Sequence, residues 1–110
     1  MSDTVLRQVA RETLDRLRTI PTRHFTIQVE LACQTDTIRK ALEEVRDPGK
    51  LYILPKKFRG RSCFVVGYGL FEGRKAAERA RTSELGSELL NQPSPPQIIT
   101  IGTMRRRAGT

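Results

Sequence analysis

At 110 residues, 37% hydrophobic and 29% charged, the chain has the length of one domain and a composition that excludes a disordered segment. Its net charge of +8 is unevenly placed: residues 50–81 hold nine Lys or Arg against two Glu, whereas residues 24–49 hold three against five acids. No apolar run approaches the roughly 20 residues of a membrane-spanning helix, and the charged N-terminus lacks a signal-peptide core, so neither membrane insertion nor export by its own signal is expected of this chain.

In chain order, Val5, Leu6, Val9, Leu14 and Leu17 recur at approximately helical spacing, which predicts an amphipathic helix over residues 4–18 that ends before Pro21. HFTIQVELA, residues 24–32, alternates with Phe25, Ile27, Val29 and Leu31 on one side, as a half-buried strand does. Thr35 or Asp36 can cap a helix striped by Ile38, Ala41, Leu42 and Val45, and Asp47-Pro48-Gly49 stops it. A second strand, residues 51–54, leads into a polar turn, and a third follows from 62 to 68. Beyond the Gly67-Tyr68-Gly69 break lies a helix over residues 74–85. The stretch NQPSPP cannot be helical, and it delivers residues 97–101 as a fourth strand, with a mobile basic tail after it.

The element order, a helix followed by β-α-β-β-α-β, predicts an α+β, ferredoxin-like fold: a four-stranded antiparallel sheet with two helices on one face, plus the extra N-terminal helix. The third strand should lie between the first and second, with the fourth beside the first. The other sheet face stays open unless the N-terminal helix covers it. The domain limits are 1–23 for the N-terminal helix and linker, 24–103 for the βαββαβ unit and 104–110 for a basic flexible tail.

Phe64-Val65-Val66-Gly67-Tyr68-Gly69-Leu70-Phe71, followed by Glu72-Gly73-Arg74-Lys75-Ala76-Ala77, resembles the SPOR (sporulation-related) domain, which repeats an aromatic-x-Val-x-Val-Gly-Pro-Phe strand before an alanine-containing helix. Phe25-Thr26-Ile27-Gln28-Val29 is similar to that family's opening Tyr-x-Val-Gln-Val, and the resemblance spans about residues 25–101. It implies noncatalytic binding of peptidoglycan glycan strands stripped of their stem peptides, across the open sheet face. Such strands carry lactyl carboxylates, which a basic domain attracts. Gln28 occupies the family's sheet-face glutamine, and an amide can both donate to and accept from sugar hydroxyls. Leu31 stands where the family has serine, Glu30 where it has glycine and Leu70 where it has proline. The outward positions of the third strand are Cys63, Val65 and Gly67, and the family's usual aromatic and arginine are absent from the first two. The candidate contact set is therefore Gln28, Glu30 and Val65 on the sheet, with Lys56, Arg59 and Arg61 on the adjacent hairpin supplying charge. Lys57 shares that hairpin, and a plain solvated turn is the other reading of its cations. The resemblance implies an envelope or periplasmic location within a larger exported protein, where other domains of the parent chain are partners.

Cys33 and Cys63 fall where antiparallel neighbours meet, so two arrangements are open. One is a disulfide, worth roughly 3–4 kcal/mol and suited to an oxidising compartment. The other is a pair of buried free thiols. Catalysis is not expected: His24 is the one histidine and has no partner by spacing, no zinc pattern or phosphate loop is present, and no cofactor or metal is implied. Two other binding classes are distinguished by register. Aromatics facing outward would favour an RNA-binding relative of the same element order, which Phe64 and Tyr68 on the helix side disfavour. An N-terminal helix packed across the sheet would favour a protein-interaction domain that has lost sugar binding.

Overall fold

The structure, a computed structural model, describes residues 3–108. Helix α1 covers Asp3–Leu17 and strand β1 Phe25–Ala32. Helix α2 is Thr35–Glu43, and a 3-10 turn at Pro48–Lys50 leads into β2, Leu51–Phe58. Strand β3, Arg61–Phe71, is followed by α3, Arg74–Glu84, and the short α4, Ser87–Leu90. Strand β4, Gln97–Thr100, runs directly into α5, Ile101–Arg107. The chain is α+β, with a four-stranded antiparallel sheet in the order β2-β3-β1-β4, as the element order predicts.

Local chemistry explains most boundaries. Asp47 accepts from the Gly49 amide at 3.0 Å and Pro48 needs no amide partner, so the chain turns there before β2. Helix α2 begins without a side-chain cap: Gln34 occupies the cap position, and Thr35 and Asp36 lie inside the first turn instead. Asp36 there pairs with Arg39, which also reaches Glu43, and the guanidinium holds the Asp36 carboxyl below its ordinary range. Arg59 at φ 52° and Gly60 at φ 77° form a two-residue turn joining β2 to β3, the left-handed geometry that matches strand twist.

Two β-bulges set the register. Ile27 pairs with Tyr68 but Phe25 with Phe71, so Gly69 and Leu70 together oppose Thr26; Gly69 absorbs the irregularity at φ 74°. The strand thus continues through the glycines to Phe71 instead of stopping at them. A second shift lies between Gln28 and Glu30. It reverses the alternation, so Ile27 and Val29 are buried as expected, whereas Ala32 replaces Leu31 as the next buried residue.

The first sheet face carries Ile27, Val29, Phe64, Val66 and Tyr68 against Ile38 and Ala41 of α2 and Ala80 of α3. The second face is not open. Leu54 and Val65 pack with Leu17 of α1 and with Ile101, Met104 and Ala108 at the chain's end. The expected mobile tail is therefore largely a packed helix, and only its last two residues lie outside the described part. The physical reason is a cap: the Thr100 hydroxyl accepts from the Thr103 amide at 3.1 Å, which ends the strand one residue early and starts α5.

Beneath that cover, Thr26 is fully buried and donates to the Gly69 carbonyl at 2.7 Å, so the Tyr52 hydroxyl donates to Thr26 at 2.6 Å. A side chain at Gly67 would overlap the Tyr52 ring, so the absence of a Cβ makes room for that ring across the strands. Cys33 and Cys63 form a disulfide with 4.2 Å between their Cα atoms, stapling the end of β1 to the start of β3.

Candidate functional site

The six sequence-predicted contact residues divide into three environments. Val65 is only 3% exposed, sealed under α1 and α5, and cannot touch a ligand. Its assignment is corrected for the reason that removes the open face: both terminal helices pack on it. Lys56, Arg59 and Arg61 sit on the β2–β3 hairpin at one edge of the sheet. Gln28 and Glu30 lie on β1 beside β4, at the opposite edge, in a cleft of about 550 Å³.

This cleft exists because β4 is short. It pairs with Phe25 to Gln28 only, leaving β1 residues 29–32 with no strand on that side. The Pro-rich connection stands off instead and forms the far wall with Gln92, Pro93, Ser94 and Pro95. That wall is fixed from α3, since Arg81 donates to the Pro96 carbonyl at 2.8 Å. Helix α5 supplies the remaining group: the Arg107 guanidinium donates to Gln28 Oε1 at 2.6 Å and to Gln97 Oε1 at 3.3 Å. A guanidinium has no acceptor, so both amides turn their oxygens to it and keep their NH₂ groups for other partners. Across the cleft Gln92 donates to Glu30 at 3.3 Å, while burial pushes the Glu30 carboxyl above its ordinary value.

Chemically the cleft lining presents amide donors and acceptors and one carboxyl, backed by proline rings, and Arg107 binds two of those amides from α5. Glu30 is its one lining carboxyl. Among the described residues, no three of His, Cys, Asp or Glu converge to hold a metal ion. Sequence reasoning finds Gln28 and Glu30 but misses Gln92, Gln97 and Arg107. The available signal was the Thr100-x-x-Thr103 spacing, a helix start that would have placed Arg107 two turns along α5.

At the other edge α1 runs beside β2, and Arg7 and Arg11 share a cleft with Lys56 and Lys57. The hairpin cations therefore gain neighbours from the N-terminal helix, which spacing along the chain does not disclose. Comparison with protein families, with curated proteins and with solved structures finds no match.

Proposed function

We propose that the chain is a noncatalytic binding module of ferredoxin-like, SPOR-type architecture that attaches a bacterial envelope protein to peptidoglycan. In this reading it grips stripped glycan strands at the cleft beside β4 instead of across the sheet. The observation that carries the reading is the convergence of Gln28, Gln92 and Gln97 on one groove, with Arg107 bonded to two of those amides. Amides arranged this way match the alternating donors and acceptors of sugar hydroxyls, and Arg107 can take a lactyl carboxylate in a charge-assisted bond in place of its present amide partners. A lone carboxyl does not supply the acid and base pair of a glycoside hydrolase, which supports binding without turnover. The disulfide accords with the oxidising side of the envelope.

Closure of the second sheet face by α1 and α5 favours a second reading, a protein-interaction domain of the same architecture that has lost sugar binding. Cosedimentation with intact and amidase-stripped peptidoglycan sacculi, with RNA as competitor, separates the two. The glycan reading expects pelleting that rises after stripping, resists RNA and falls about tenfold for Gln28→Ala or Gln97→Ala, the loss of one or two hydrogen bonds to a ligand. Val65→Ala, beneath the helices, should leave pelleting by the folded fraction unchanged. No pelleting with either preparation would sink the glycan reading and leave the interaction domain.

A further inference from the structure

The surface at the β2 edge is separate from the amide cleft and does not depend on how that cleft is used. Arg7 and Arg11 are one helical turn apart on α1 and both are exposed. They lie against Lys56 and Lys57 of β2, and the hairpin continues to exposed Arg59 and Arg61. Arg7, Arg11, Lys57, Arg59 and Arg61 form no ion pair among the described residues, in contrast to Arg39 of α2, which has two acidic partners. Unneutralised cations collected on one helix and one hairpin create a local field that distant acids do not cancel through screening solvent.

An apolar group sits within this field. Phe58, 39% exposed, closes β2 immediately before the tight Arg59-Gly60 turn, and the Arg59 guanidinium lies 5.2 Å from its ring centroid. A two-residue turn leaves no loop to fold back over the ring. An aromatic at a projecting tip, flanked by cations, has the chemistry of an interfacial anchor: the ring enters the headgroup–acyl boundary while the guanidinium groups stay at the phosphates. Readout of single-stranded RNA by this kind of sheet would instead call for stacking rings on an accessible face. Here Phe64 and Tyr68 are buried beneath α2 and α3.

We infer that Arg7, Arg11, Lys57, Arg59 and Arg61, with Phe58 as the inserted group, form a peripheral docking surface for an anionic phospholipid membrane. The module then lies on the bilayer by its β2 edge while its β4 edge faces away, since the two strands are the opposite borders of the sheet.

The test is flotation of the whole 110-residue chain with vesicles of phosphatidylcholine alone or containing phosphatidylglycerol, at low and physiological salt, with RNA added in a parallel arm. Binding is expected only to the phosphatidylglycerol vesicles and should weaken with salt. It should fall by more than tenfold for the double variant Arg59→Glu, Arg61→Glu, since each cation near an anionic leaflet contributes a several-fold factor. Phe58→Ala should reduce it roughly tenfold. The chain has no tryptophan, so Phe58→Trp provides a single fluorophore on an exposed tip, whose emission should shift to the blue on vesicles. Equal binding to neutral vesicles, or no blue shift, would overturn the proposal. Displacement of the vesicles by RNA, with Phe58→Ala leaving lipid binding unchanged, would also overturn it and assign the surface to nucleic acid.

Discussion

The two faces of the sheet are buried in different ways. On the first, Ile27, Val29, Phe64, Val66 and Tyr68 meet α2 and α3, helices that directly follow β1 and β3 in the chain, and Leu6 and Ala10 of α1 join the same cluster. On the second, Leu54 and Val65 meet Leu17, Ile101 and Met104, so the cover is assembled from opposite ends of the sequence. Most of the first face follows from local alternation and short connections. The second exists only after the termini have docked, although its polar centre, Thr26 with Tyr52, is satisfied within the sheet itself, by the Gly69 carbonyl. Outward by strand alternation is therefore not the same as exposed.

The comparison can be broken most severely at the disulfide, which links the end of β1 to the start of β3, the two central strands that both faces share. Reduction, or Cys33→Ala with Cys63→Ala, is expected to cost about 3–4 kcal/mol for a link spanning 30 residues, read as a lower denaturant midpoint. Next, Met104→Ala should cost about 3 kcal/mol by leaving a cavity under α5. It should also shift the side-chain methyl resonances of Leu54 and Val65 while sparing those of Val66 and Ile53. Equal loosening of both faces would refute their independence. Gly67→Ala should cost roughly 2 kcal/mol, because the new methyl displaces the Tyr52 ring, and its signature is loss of the Tyr52–Thr26 hydrogen bond.

The smallest effect belongs to the first face. Tyr68 donates to Glu84 Oε1 at 2.6 Å, and Lys50 Nζ reaches the same oxygen at 3.2 Å. Tyr68, in turn, is raised to about 12, mainly by burial and then by the Glu84 hydrogen bond. The Tyr68 hydrogen bond is the leading cause holding the Glu84 carboxyl below its ordinary value of 4.5. A depressed carboxyl contributes stability that is complete above its unfolded value and disappears as pH falls through the lower folded one. Tyr68→Phe should thus cost about 1 kcal/mol at neutral pH and progressively less below about pH 4. A cost that does not change with pH would refute the coupling to Glu84.

Much of the first face is legible in the sequence because its inward residues alternate and its helices begin and end at recognisable turns. What alternation misses is the bulge between Gln28 and Glu30, a backbone event that no side-chain pattern there marks and that exchanges Leu31 for Ala32. The candidate site is half legible. Gln28 and Glu30 belong to a readable strand, whereas Gln92 comes from a connection with no periodicity and Gln97 from a four-residue strand. Arg107 comes from a helix whose QIITI prelude reads as continued strand, because β-branched residues outweigh the Thr100 cap in any local window.

The docking of α5 also gives the domain an order in time. A chain made from its N-terminus has α1 and β1 to β4 before Met104, so until the last helix is synthesised Leu54 and Val65 have only the Leu17 end of α1 to cover them. Among the described elements, the one that closes the domain is the one that arrives last, and the interval before it arrives is when these strands are most open to aggregation or to a chaperone.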